Sequence, residues 1–486
     1  MYQLVVMGKV VLIQPKVGEW DEIRSAPQIP LALLFASSLV EKDYEVKIID
    51  QRLDKNWENS LRKELNSSPL CVGTTAMTGK QIKFALDALK IVKIESKIPT
   101  VLGGVHASLL PEQTLANPNI DIVVQGEGEI TFYELVKFLD KEKPLKQVKG
   151  IWYKNKQCIK NNGMREFSDL NKLPDLPYHL IEVKDYLPKF KGKKSINMYL
   201  SRGCVFKCAF CYNAVYNRSK WRCVSDKISL ERIKRVIDDF GVEKIDFLDD
   251  EFFIDWHRAK NIIEGIVRER FDIICEFFGI RVDQISRMDQ EYLKTLEKAG
   301  CRKLHLGVES GSERIINMVK KNITPRQVIS LNRKLKNYNF IPQYNFMAGF
   351  PTETIKEIKM TIDLILRLLK ENPNAITSPI CTYTPYPGTE LFDFAMKDGF
   401  KIPEKLEEWA DFDYGNIPWI NEKRRKFLES LYIVSLFLSG DRYMINSLPV
   451  KLFAKLYKPF AEYRVRNMNF GLMIEKTFKK IFEDIY

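Results

Sequence analysis

The chain has 486 residues, too many for one ordinary core, so two or three domains are expected. Its 45% hydrophobic and 29% charged content is that of a globular protein, and no apolar run reaches the ~20 residues that span a bilayer. A net charge of +13 favours anionic partners (nucleic acid, phosphorylated substrates or a membrane surface) without choosing among them.

The N-terminus, Met1 to Val10, has no basic stretch leading into an apolar core and cleavage site, so it reads as a first buried strand instead of a signal peptide. Nine cysteines, an odd number scattered along the chain, do not form a disulfide framework and point to a reducing cytoplasm. From residue 1 to about 140, short apolar runs alternate with helical patterns. Strands are predicted at Val10–Pro15, Glu45–Asp50, Leu70–Thr75, Thr100–Gly104 and Ile120–Gln125, with a proline-opened helix over Pro30–Val40. Such alternation predicts an α/β, doubly wound parallel sheet, whose ligands bind beyond the carboxyl ends of the strands. Three loops at that edge carry unusual residues: Thr74 and Thr75; Gly103, Gly104 and His106; and Gln125, Gly126, Glu127 and Gly128. Glycine lets backbone approach a ligand closely. The Gly126–Gly128 piece is no dinucleotide fingerprint, because the third glycine is missing.

Residues 141–194 read as a connector with a hairpin near Gly150–Lys156. Over 195–395 a second alternation predicts strands at Asn197–Leu200, Lys244–Leu248, Ile274–Phe278, Lys303–Val308, Pro342–Met347 and Ile376–Cys381. Six βα units make a partial (β/α)6 barrel with active groups at the strand C-terminal ends. Residues 396–486 lose the strand pattern and become helical, with 13 Lys and Arg against 7 Asp and Glu from Asn421 onward. Ser439-Gly440 and Leu448-Pro449 are expected to separate its helices.

The most informative feature follows the first barrel strand. Cys204, Cys208 and Cys211 stand at CxxxCxxC spacing. Three thiolates on one loop suit three irons of a 4Fe–4S cube, and the missing fourth leaves one iron open for chemistry. A zinc site lacking its fourth ligand is the competing reading, with Cys223 as a rival ligand outside the compact spacing.

This loop, with Phe210 directly before the third cysteine, resembles the signature of the radical S-adenosylmethionine (SAM) superfamily, and the N-terminal sheet resembles the cobalamin-binding domain of one large subgroup. The resemblance covers roughly residues 8 to 395 and implies three cofactors: a 4Fe–4S cluster on Cys204, Cys208 and Cys211, SAM, and cobalamin. It implies SAM contacts from Phe210, from Asp249 and Asp250 toward the amino group, from Glu309 and Ser310, from Gly349 and from the Pro385 motif, with Arg281 as a charge partner in the pocket. Taken singly, Asp249 and Ser310 also read as helix N-caps, and Pro387-Gly388 as a turn. Cobalamin contacts are implied at the three N-terminal loops. The Asp-x-His-x-x-Gly motif that places histidine beneath cobalt is absent, and the family position of His106 implies a rim or nucleotide-tail contact more than an axial ligand.

The implied function is radical functionalisation of an unactivated carbon, methylation first, with cyclisation on a lipid or tetrapyrrole as the alternative and tRNA modification as the weakest reading. Implied partners are a small-molecule or lipid-like substrate and a low-potential donor such as ferredoxin or flavodoxin. Lys451–Lys458 and Arg464–Arg466 are candidates for peripheral contact with a membrane surface. No RNA-binding module is recognisable, so nucleic acid is not expected.

Overall fold

The computed structural model describes residues 8–18, 21, 26–156, 158–190, 192–412, 420–440, 448–471, 473 and 475; Met1 to Met7 of the expected first strand lie outside the described residues. By internal contacts the chain divides into two compact units, Met1–Pro188 with Ile402–Asp413, and Lys189–Lys401 with Tyr414–Tyr486.

In the first unit, β1 (Lys9–Gln14), β2 (Glu45–Asp50), β3 (Cys71–Thr75), β4 (Thr100–Gly103) and β5 (Ile122–Val124) pair in parallel in the order 2-1-3-4-5. The switch point of this doubly wound sheet falls between β1 and β3. Val10, Val11, Leu12 and Ile13 are all buried, so β1 is covered on both faces, as a central parallel strand must be. The sheet continues with an antiparallel hairpin, β6 (Ile151–Asn155) and β7 (Cys158–Asn161), in which β6 pairs with β5. The hairpin predicted from sequence thus extends the N-terminal sheet.

A strap from the C-terminal region completes this unit. Trp409 is fully buried, donates its indole N–H to Gln113 at 2.7 Å, and meets the His106 ring edge-on at 5.5 Å. Gln113 in turn donates to the Pro403 carbonyl at 2.6 Å.

The second unit holds β8 (Lys189–Phe190), β9 (Lys193–Met198), β10 (Ser201–Gly203), β11 (Trp221–Cys223), β12 (Lys244–Phe247), β13 (Ile274–Arg281), β14 (Cys301–Glu309), β15 (Ile341–Ala348), β16 (Ile376–Thr377) and β17 (Cys381–Thr382). Strands β9, β12, β13, β14 and β15 run parallel in that order, joined by helices such as Asp226–Phe240, Trp256–Arg268 and Ile355–Glu371. This is the open βα wall expected from the sequence.

The sixth strand differs from expectation. Pro379 cannot donate to a ladder, so the predicted Ile376–Cys381 strand breaks into β16 and β17, both paired to β15. The backbone freed at the break finds side-chain partners. Ser439 Oγ accepts from Thr377 N and Ser435 Oγ from Ile380 N, both at 2.8 Å. Ser435 ends the helix Glu422–Ser435, and a final helix, Leu448–Asn467, packs beside it. Ser439-Gly440 follow the first of these helices, and Leu448-Pro449 open the second.

Candidate functional site

The cysteine loop hangs between the arms of a short hairpin. Strand β10 pairs with β11 in antiparallel register, Gly203 facing Trp221 and Ser201 facing Cys223. Gly203 is obligatory: its φ is +82°, and a Cβ there would meet the Lys220 carbonyl oxygen at 2.0 Å. Cys223 therefore sits on a hairpin arm, apart from the three loop cysteines.

Groups after β12, β13, β15 and β17 grip this loop. After β12, Asp250 accepts from Gly203 N and from Asn213 Nδ2, both at 2.7 Å, so one carboxylate ties the two ends of the loop together. Asp249 is fully buried, with Leu200 N donating to it at 3.2 Å and Ser201 Oγ also bonded; burial lifts its pKa to about 6. At the end of β13, Arg281 lies 3.8 Å over the Phe206 ring, donates to Cys208 Sγ at 3.5 Å, and pairs with Asp283 at 2.9 Å. Beneath it, Glu251 accepts from Arg281 N at 2.9 Å and from Phe253 N at 3.1 Å, and burial raises its pKa to about 8.

At the end of β14, Glu309 has φ +72°, a costly conformation for a non-glycine residue, and forms a buried ion pair with Lys321 at 2.7 Å. Burial works against the charge of Lys321, yet the Glu309 carboxylate and the Cys208 sulfur hold its pKa above the ordinary value. After β15, Gly349 has φ +85°, and Phe350 meets Phe210 edge-on at 6.3 Å. After β17, Tyr386 meets Tyr212 edge-on at 6.0 Å, and Leu391 N donates to the Ala209 carbonyl at 2.9 Å. Pro385 is buried beside them, and Pro387-Gly388 is the turn read from sequence, with Thr389 N donating to Tyr386 O at 3.2 Å.

The donor set fits a 4Fe–4S cluster. The backbone N–H groups of Phe206 and Asn213 are directed at the sulfurs of Cys204 and Cys211, an arrangement that stabilises bound thiolate. Burial raises both thiols to about 12, so they part with their protons on binding metal. Among the described residues no three His, Cys, Asp or Glu side chains converge as ligands of one ion would.

Asp249 and Ser310, both expected to contact SAM, also make bonds within the protein. Asp249 fastens the start of the loop from a fully buried position. Ser310 is likewise buried, its hydroxyl bonded to Thr361 Oγ1 at 3.1 Å and to Ser312 N at 3.1 Å. Neither caps a helix; Asp255 and Ser312 take those places. Phe210, Asp250, Arg281, Glu309, Gly349 and the Pro385 motif are all brought around the cysteines. Sequence reasoning missed Lys321, Glu251 and Glu353. Glu251 directly follows Asp249 and Asp250, and Glu353 accepts from Gly349 N at 2.6 Å, whereas nothing local marks Lys321, which meets Glu309 only through the fold.

In the first unit the three loops do come together at the carboxyl edge of the sheet. Gly104 (φ +94°) lies so close to the end of β3 that a Cβ would meet Thr75 Oγ1 at 2.5 Å. Ser108 bridges the loops after β4 and β5, donating to Gly104 O at 2.7 Å and accepting from Gly126 N at 2.9 Å. Gln125 is held by Trp152 Nε1 at 2.9 Å. A Cβ on Gly126 (φ +82°) would meet nothing within 4 Å, so open space lies at this edge for a ligand such as cobalamin. Glu127 and Gly128 begin the helix Gly128–Asp140. Thr74 is buried, donating to the Ile13 carbonyl at 2.9 Å.

His106 departs from its expected place on the rim. It is completely buried, bonded through Nδ1 to Thr78 Oγ1 at 2.9 Å, and burial lowers its pKa to about 3. The Trp409 strap, invisible to local patterns, is what covers it.

Comparison with known proteins agrees with both sites. Residues 198–365 match the radical SAM superfamily and residues 27–136 the B12 binding domain. An uncharacterized methyltransferase of Pyrococcus horikoshii is 30% identical over 84% of this chain and 87% of its own length. The chain belongs to the radical SAM superfamily, in the branch that carries a B12-binding domain. Its cofactors are accordingly a 4Fe–4S cluster, SAM and cobalamin. The anaerobic magnesium-protoporphyrin IX monomethyl ester cyclase of Cereibacter sphaeroides is 27% identical over 71% of this chain and 56% of its length. The radical SAM methyltransferase TsrM of Kitasatospora setae, solved with cobalamin and a 4Fe–4S cluster, shares the fold with a TM-score of 0.70 at 16% identity, covering 95% of this chain and all of that one.

Proposed function

We propose that this enzyme methylates an unactivated carbon of a small-molecule substrate, using SAM and cobalamin. The observation that carries the reading is the coexistence, in one chain, of a strand-gripped three-thiol loop and a glycine-lined edge on a 2-1-3-4-5 sheet. When bound, the cluster and SAM supply one-electron cleavage chemistry and cobalamin carries the methyl group. The chain's own residues position and insulate. Cys204, Cys208 and Cys211 hold the cluster; Asp250 fixes the loop ends; Arg281 and Lys321 set positive charge beside Cys208. Phe210 and Phe350 form an apolar wall that keeps water from the reacting centre. Gly104 and Gly126 let backbone approach cobalamin.

The reductant in this reading is a low-potential donor such as ferredoxin or flavodoxin, and the working compartment is the cytoplasm, with the C-terminal helix in peripheral contact with a membrane. Among the described residues no helix is long and apolar enough to cross one. Radical cyclisation without methyl transfer is the second reading, favoured by the similarity to the cyclase.

The test is anaerobic reconstitution with iron, sulfide, cobalamin, SAM and reductant, followed by incubation with candidate small molecules. Methyl transfer predicts 5′-deoxyadenosine and S-adenosylhomocysteine in comparable amounts with a methylated product. Product formed with 5′-deoxyadenosine alone contradicts methylation and supports cyclisation.

A further inference from the structure

The helix Leu448–Asn467 has two opposed faces, and among the described residues only one is covered by the fold. Ala454, Tyr457, Ala461, Arg464 and Val465 are buried, and the helix packs on Glu422–Ser435 and Ile355–Glu371. On the other side Leu452, Leu456, Phe460 and Tyr463 are 58%, 72%, 48% and 56% exposed. Spacings of four, four and three residues set these side chains in a single stripe along the axis. An exposed leucine or phenylalanine alone needs no explanation, but a continuous stripe of four marks an interaction surface.

Lys455 and Arg466 are exposed on the same side. Arg464, grouped with Arg466 in the sequence reading, is withdrawn: it is buried and paired with Glu475. The helix carries one carboxylate, Glu462, 3.9 Å from Lys458. One edge of the apolar stripe thus carries Lys455 and Arg466, with Glu462 in the same row and partly neutralised by Lys458.

We infer that this face docks the enzyme on the surface of a bilayer containing anionic lipids, with the helix lying in the interface. Charge complementarity selects this occupant. A second copy pairing through the same face would bring Lys455 and Arg466 toward their own counterparts, whereas acidic head groups neutralise them while acyl chains take up the stripe. This inference gives the peripheral contact proposed above its residues and its lipid class, and it stands whether the reaction is methylation or cyclisation.

The experiment is sedimentation of the full-length protein with vesicles of phosphatidylglycerol and phosphatidylcholine in equal parts, and with vesicles of phosphatidylcholine alone. Size-exclusion chromatography with light scattering is run in parallel. The protein is expected to sediment with the anionic vesicles and to be released by salt. Leu456→Glu with Phe460→Glu is expected to cut partitioning at least about tenfold, and Lys455→Glu with Arg466→Glu to remove the preference for the anionic vesicles. Because these side chains face solvent, the variants are expected to fold and to load iron like wild type. Failure to bind either vesicle, or undiminished binding by Leu456→Glu with Phe460→Glu, overturns the inference. A solution dimer broken by that same variant also overturns it, in favour of self-association.

Discussion

The guanidinium of Arg281 donates to the sulfur of Cys208 at 3.5 Å, while its plane lies 3.8 Å over the ring of Phe206. One side chain at the end of β13 thus bears on both the chemistry and the shape of the cysteine loop. A cationic donor to a cluster thiolate favours the reduced, more negative cluster. Replacing Arg281 by Gln is expected to leave a cluster that assembles but has a midpoint potential lower by on the order of tens of millivolts. EPR-monitored redox titration without SAM measures it, and an unchanged potential contradicts this role.

Asp250 joins Gly203 N to Asn213 Nδ2 across the loop. Each bond to a charged acceptor contributes roughly 1.5–3 kcal/mol, so Asp250→Ala releases both ends. Iron and sulfide bound after reconstitution should fall by more than half, with overall folding by circular dichroism retained. Full loading would show that the cysteines need no such tie.

Glu353 gives a pH dependence. Burial raises its carboxyl from an ordinary 4.5 to about 7, against the pull of the Gly349 and Phe350 N–H groups. A raised carboxyl contributes stability that is complete below the unfolded pKa and is lost as pH rises through the folded one. Wild type should therefore lose stability between about pH 4.5 and 7, by at most ~3 kcal/mol, while Glu353→Gln changes less over that window. Urea unfolding across the range decides it.

Trp409 closes the first unit from a distant part of the sequence. Removing a fully buried tryptophan costs ~3–5 kcal/mol. Trp409→Ala is expected to expose His106, to make Met1–Pro188 the first region cut in limited proteolysis, and to weaken cobalamin binding while leaving cluster loading intact. Unchanged cobalamin binding would separate the strap from the site.

These residues show what the sequence can and cannot express. Cys204, Cys208 and Cys211 are legible because the chemistry lies in a single loop, and β1 to β5 are legible because buried parallel strands are continuous apolar runs. The pairing of β6 with β5, the Trp409 strap and the Lys321–Glu309 ion pair join positions whose partners no local period reveals. Asp249 and Ser310 stand at strand ends, where the resemblance places SAM, and only packing reveals the bonds their oxygens make inside the protein. His106, which the resemblance puts on the rim, is buried because the distant Trp409 covers it. Pro379, by contrast, declared the break in the sixth strand openly, and the proline rule applied to it would have found β16 and β17.

The central claim is that the three loop cysteines carry the cluster that cleaves SAM. Its most direct test is the rate of 5′-deoxyadenosine formation from SAM, under reductant and without added substrate, for wild type and for Cys208→Ala, each reconstituted anaerobically. Wild type should form 5′-deoxyadenosine, and Cys208→Ala should form none above the protein-free background. Reductive cleavage persisting in Cys208→Ala would contradict the account.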